Sequence, residues 1–107
     1  MGMLSEPMEL LDLEDGKKLT FRVLRFEQGE TAIKTQDVPA GKVVGALRIH
    51  VPRELKPVGM PYYDITSKTL QAQLLPFLQD PGQKGRTFTI TAHGIRPRKR
   101  FELAVTG

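Results

Sequence analysis

A period of two in hydrophobicity, returning along the chain, restricts the fold more than any other feature. In Lys42–Val51, the residues Val43, Leu47, Ile49 and Val51 share one face, with Gly45 among them. Successive side chains of an extended strand point to opposite faces, so this alternation predicts a strand with one buried side. Gly45 predicts a bulge or a tight bend in it. The pattern recurs in Lys18–Phe26, where Leu19, Phe21 and Val23 oppose Thr20, Arg22 and Leu24. It recurs in Arg86–Ala92, with Phe88, Ile90 and Ala92 inside and Thr87, Thr89 and Thr91 outside. Lys99–Val105 repeats it with Phe101, Leu103 and Val105. Thr31–Gln36 is a weaker strand, expected to pair with the first as a hairpin across Gln28-Gly29-Glu30.

One stretch switches to helical spacing. Leu70, Leu74, Phe77 and Leu78 form a single apolar stripe. Asp64-Ile65-Thr66-Ser67 supplies several capping oxygens. With Thr66 as the cap, Ile65 and Leu70 occupy the positions of a hydrophobic staple. Pro76 lacks an N–H and crowds the preceding turn, which predicts a kink or a break. Asp80-Pro81-Gly82 predicts the stop. Asp37-Val38-Pro39-Ala40-Gly41 and Gly94–Pro97 read as turns. Residues 52–64 hold Pro52, Pro57, Gly59 and Pro61 and read as a long loop ending in Tyr62-Tyr63.

These elements imply two parts: an acidic leader at 1–16 and one mainly β domain with one helix at 17–107. The leader reads as a short helix, an edge strand or a partly mobile arm. The order strand, strand, strand, helix, strand, strand over residues 18–105 resembles the OB-fold, a five-stranded Greek-key barrel (β-β-β-α-β-β). Without a strand at Thr31–Gln36 the order becomes ββαββ, which looks like a β-grasp fold.

Composition narrows the function. At 39% hydrophobic residues the chain can build a core, and without Trp that core rests on Leu, Val, Ile and five Phe. Cys is absent, which removes disulfides, thiolate metal sites and a Cys nucleophile. No apolar run approaches the roughly 20 residues of a membrane helix. The N-terminal stretch is acidic rather than basic, unlike a signal peptide, and Glu6 stands where a myristoylation motif needs Ser or Thr. A cytoplasmic protein without membrane contact is the expectation.

Catalytic patterns are missing. His50 and His93 have no neighbour at metal-ligand spacing. Ser5 and Ser67 are the only serines, and Ser67 fits the helix start. Gly41-Lys42 precedes a strand rather than a helix, the reverse of a phosphate-binding loop. The expectation is a binding protein, not an enzyme, with no metal and no cofactor.

Charge is unevenly spread around a net +4. Residues 1–16 hold Glu6, Glu9, Asp12, Glu14 and Asp15 and no base. Residues 84–100 hold Lys84, Arg86, Arg96, Arg98, Lys99 and Arg100 and no acid. Such asymmetry predicts binding to a polyanion. Crowded cations repel one another, and a nucleic acid that neutralises them releases counterions. Pro97 stiffens that turn, and the OB-fold resemblance places the last hairpin loop at the rim of an oligonucleotide groove.

The expected nucleic-acid contacts are Arg96, Arg98, Lys99 and Arg100, helped by Arg86 and by Arg22 and Arg48, the last two on outward strand positions. His50 shares that outward face, and Arg25 lies near it. Tyr62 or Tyr63 would stack on bases. The partner implied is single-stranded DNA or RNA, read with low sequence specificity. The leader, complementary in charge, is placed to lie over the basic patch and compete with a ligand. The alternative is a protein-interaction or assembly subunit, a homo-oligomer or complex component, in which acidic arm and basic hairpin meet neighbouring copies. In that reading Met60-Pro61-Tyr62-Tyr63 is the apolar anchor.

Overall fold

The computed structural model describes residues 2–33, 41–80, 85–95 and 98–107. Its elements are β1 (Lys18–Phe21), β2 (Arg25–Ile33), β3 (Lys42–His50), β4 (Tyr62–Ile65), α1 (Lys68–Leu78), β5 (Thr87–His93) and β6 (Arg100–Thr106). A single 3-10 turn, Arg53–Leu55, lies between β3 and β4. The strands form two three-stranded antiparallel sheets, β1-β5-β6 and β2-β3-β4. These sheets do not close into a barrel. Four strands precede the helix rather than three or two, which corrects both expected orders and removes the ββαββ alternative.

The core lies between the sheets and α1. Phe21, Phe88 and Ile90 of one sheet meet Leu47, Ile49 and Ile65 of the other, with Leu70 and Leu74 from the helix. Phe21 and Phe88 stack with ring centroids 5.6 Å apart, and Phe77 meets Phe88 edge-on at 6.3 Å. Burying each such side chain contributes about 1.5–3 kcal/mol relative to leaving it in water.

The expected hairpin at Gln28-Gly29-Glu30 is absent. β2 runs straight through these residues, pairing with β3 from Arg25↔His50 to Ile33↔Lys42. Gly29 is there because the N-terminal leader crosses directly above it. A Cβ at Gly29 would lie 2.9 Å from the Gly2 carbonyl oxygen and 2.8 Å from the Leu4 side chain. Of the expected strand Thr31–Gln36, residues 31–33 are the end of β2; the rest, and residues 37–40 of the next turn, lie outside the described residues. Likewise the loop expected at 52–64 is shortened by β4, which pairs with β3 from Leu47↔Ile65 to His50↔Tyr62.

The helix is capped by Ser67 rather than Thr66: the Ser67 hydroxyl accepts from the Leu70 N–H at 3.3 Å. Pro76 does not stop it; α1 continues to Leu78. The proline lacks the N–H that would bond the Ala72 carbonyl, yet the turn beyond it still closes, the Gln79 N–H donating to the Leu75 carbonyl at 2.9 Å. Of the expected stop, residues 81 and 82 lie outside the described set. Gln71 fastens the helix to the β2-β3-β4 sheet, its side-chain amide donating to the Ile65 carbonyl at 2.9 Å and the Gly45 carbonyl at 3.2 Å.

The leader is neither a helix nor loose. It is a strap that pairs with both borders of the β2-β3-β4 sheet. Met3 forms a parallel bridge with Glu30 of β2, and Leu10 forms one with Asp64 of β4. The Glu30 N–H donates to Gly2 and the Leu4 N–H to Glu30, at 3.1 and 2.9 Å. The Asp64 N–H donates to Glu9 and the Leu11 N–H to Asp64, at 2.7 and 2.9 Å. Residues 5–8 cross the sheet between these borders. The outer border of β4 is taken by residues 9–11 of the strap. On β6, the Phe101 carbonyl accepts from the Gln73 side chain at 3.2 Å.

Candidate functional site

Each sheet has an outer face, and the two faces differ in kind. The outer face of β2-β3-β4 carries Arg48, His50, Glu27, Tyr62 and Asp64, at register positions that face one another across the strands. Alternation predicts Arg48 pointing into solvent. It is instead 1% exposed, because the strap covers it.

Every bond Arg48 makes explains how it is tolerated there. Its Nε donates to Asp64 Oδ1 at 2.6 Å and its Nη2 to Asp64 Oδ2 at 3.2 Å. The same Nη2 donates to the Ser5 carbonyl at 2.6 Å, and Nη1 to the Ser5 hydroxyl at 2.9 Å. The guanidinium stacks 4.0 Å from the Tyr62 ring centre. Burial works against the charge, but the Asp64 bonds outweigh it, so the Arg48 pKa rises above its usual value. Asp64 also accepts from the Glu9 N–H at 2.8 Å. Tyr62 is 4% exposed, and its hydroxyl donates to the Pro7 carbonyl.

A second anchor holds the strap at Glu9. Its Oε1 accepts from Lys56 Nζ at 2.8 Å and from the Met60 N–H at 2.9 Å. These bonds, Lys56 first, hold the Glu9 carboxyl below the usual range. Gly59 makes room: its φ is +75°, and a Cβ there would collide with Glu9 Oε1. At the margin of this face Glu27 accepts from His50 at 2.6 Å, which lowers the Glu27 pKa.

The outer face of β1-β5-β6 has no cover among the described residues. Register places Lys18, Thr91 and Glu102 in one row and Thr20, Thr89 and Ala104 in the next. Thr20 and Thr89 hydroxyls bond at 3.1 Å. At the end of this face His93 stands opposite Arg100, with Arg98 and Lys99 preceding it. Arg98 and Arg100 are exposed and form no ion pair with any described residue. Lys99 pairs with Asp12 of the leader at 3.3 Å. A cavity of about 200 Å³ opens beside that pair, lined among others by Leu11, Ser67, Leu70 and Phe101.

The structure therefore divides the expected nucleic-acid contacts. Arg98, Lys99 and Arg100 lie together, whereas Arg96 lies outside the described residues. Arg86 precedes β5 at its opposite end, about 20 Å away along the strand, and pairs with Asp80 at 2.8 Å. Arg22 follows β1 at that same far end and pairs with Glu54 at 3.0 Å. Arg48 and Tyr62 are inside, under the strap, and cannot meet an external ligand in this arrangement. Tyr63 is half-buried against Phe21 and Lys56, and burial raises its hydroxyl pKa. Among the described residues, these cations do not form one continuous basic surface.

Sequence reasoning missed Ser5, Glu9, Lys56 and Asp64. Asp64 carried a readable signal, since Tyr62 and Asp64 alternate with Tyr63 and Ile65. Among the described residues no three His, Asp or Glu side chains converge in a metal-binding group, and no helix is long and apolar enough to cross a membrane. The chain matches no known protein family, no curated protein and no solved structure.

Proposed function

We propose that this protein is a non-catalytic binding module whose ligand is single-stranded nucleic acid, held by its phosphate backbone at the β5–β6 end. The observation that carries this reading is the exposed pair Arg98 and Arg100, free of carboxylate partners among the described residues, at the corner of an uncovered polar face. Lys18 lies one row away on that face, and Lys99, its side chain 16% exposed, pairs with the exposed Asp12 beside it. Arg96 belongs to the same turn in sequence. The tyrosines drop out of this site, so binding rests on charge and carries little base preference.

An open, OB-like layout supports the reading. Taken as one bent strand, β1 and β2 serve both sheets, and the β5–β6 connection corresponds to the loop that helps OB domains bind oligonucleotides. The test is an anisotropy titration with a labelled single strand. About three phosphate contacts give a roughly 20-fold loss of affinity between 50 and 200 mM salt. Binding without salt dependence, or none at low salt, overturns the proposal.

A protein-interaction or assembly role is the second reading. One specific observation favours it: the chain already binds an extended acidic peptide, its own leader, through both borders of one sheet.

A further inference from the structure

We infer that the outer face of the β2-β3-β4 sheet is a peptide receptor whose partner is the leader of a second copy of this chain, the two copies exchanging residues 2–11. The inference rests on the assembly reading and is independent of nucleic-acid binding.

The fit of the occupant is visible in the structure. Its backbone completes both borders of the sheet at Glu30 and Asp64. Its Ser5 and Pro7 carbonyls accept from Arg48 and Tyr62, and its Glu9 carboxylate sits between Lys56 and the Met60 N–H. This is strand addition combined with side-chain pockets, the usual way a sheet border selects an extended peptide. Gly29 and Gly59 are shaped to it, each leaving room that any side chain would fill. None of these contacts depends on which copy supplies the leader.

The tether is short of anchors. Between Leu11, the last residue bonded to β4, and Asp15, whose carboxylate accepts from the Gly94 N–H at 2.8 Å, the described bonds are the Lys99–Asp12 pair and the turn bond from the Lys17 N–H to Glu14. Asp12 is 81% exposed. Gly16, at φ +82°, forms the bend from which the leader departs. Straightening Asp12–Gly16 directs residues 2–11 away from their own sheet while β1 stays paired, at the cost of the Leu13 packing on the core and the bonds of Asp15 to the Gly94 N–H and of the Gly16 N–H to the Ala92 carbonyl. The leader also leaves apolar surface uncovered, with Met3 60% and Leu10 51% exposed. Exchange remakes every contact of residues 2–11, so its cost is that of association and of the few contacts of residues 12–16, the ordinary basis of swapped dimers. A short tether keeps the effective concentration of the chain's own leader in the millimolar range, so exchange grows with protein concentration.

The absence of cysteine makes the test direct. Two full-length variants, Met3→Cys and Glu30→Cys, are mixed at high concentration and oxidised. Residues 3 and 30 face each other across a bridge, at a spacing a disulfide accepts. Exchange predicts mixed disulfide dimers several-fold above the statistical share, suppressed by an excess of free peptide spanning residues 2–11. A statistical mixture overturns the inference. Should either variant lose its circular-dichroism spectrum, sedimentation of the unmodified chain decides. A monomer–dimer equilibrium lost in Glu9→Lys supports exchange; a monomer at every concentration overturns it.

Discussion

The two outer faces of this molecule carry similar side chains put to opposite uses. Beneath the strap, Arg48 is buried, bidentate to Asp64 and bonded to Ser5. On the other sheet, Arg98 and Arg100 stand in solvent with no described carboxylate beside them. The lesson is that a count of basic residues says nothing about their availability. Arg48 belongs to the interior because a segment more than forty positions away returns to cover it. A charge that serves the fold is expensive to remove and useless to a ligand; a charge that serves a ligand is cheap to remove from the fold.

That contrast can be broken experimentally, beginning where the effect is greatest. Arg48→Met leaves Asp64 buried without its cation and is expected to cost about 3–5 kcal/mol in urea unfolding. A loss below about 1 kcal/mol would show that the pair is not shielded as described. Next comes Gly29→Val, whose side chain meets the Gly2 carbonyl and Leu4. It should cost about 1–3 kcal/mol by overpacking and speed hydrogen exchange at the Leu4 and Glu30 amides while the core amides stay protected.

Acid sharpens the comparison further. The Glu9 pKa lies below its ordinary 4.5 in the folded protein, so below pH 4.5 the unfolded chain takes up the proton first. The stability that Glu9 contributes is therefore complete above that pH and is lost as pH falls through the folded value. Glu9→Gln should flatten the acid limb of the stability curve, read from melting temperatures between pH 5 and 3. The smallest effect on folding belongs to the double replacement of Arg98 and Arg100 by Ala. Stability should stay within about 0.5 kcal/mol, while affinity for a single-stranded oligonucleotide falls and its salt slope shrinks by about 1.4. An unchanged slope would remove these arginines from the site.

Much of this architecture was readable in advance. β3, β5 and β6 follow from alternation, and α1 from the spacing of Leu70, Leu74 and Leu78, because those patterns are local. What escaped depends on contacts between distant segments. Gly29 resembles a turn residue, yet its missing side chain admits the strap. β4 hides behind a run of prolines and shows itself only through pairing with β3. Arg48 alternates as an outward residue should, but the outside of that strand is covered, so both faces of β3 are buried from Ala46 to Ile49. The site divides the same way: Arg98, Lys99 and Arg100 are neighbours in sequence and stay so in space. Arg22 and Arg48, grouped by outward alternation, and Arg86, added for its charge, part from that cluster: Arg22 and Arg86 lie at the far end of the β1-β5-β6 sheet and Arg48 beneath the strap.

The strap has one more consequence. A strand border is a template for aggregation, since its open amides and carbonyls invite another strand. Here a single segment blocks two such borders of the same sheet, at Glu30 and at Asp64. Proteolysis at the exposed stretch near Asp12 would leave both covered only by a detachable peptide, and its loss would unblock them together. The damaged particle could then grow in two directions, which makes the integrity of this short arm a condition for remaining dispersed.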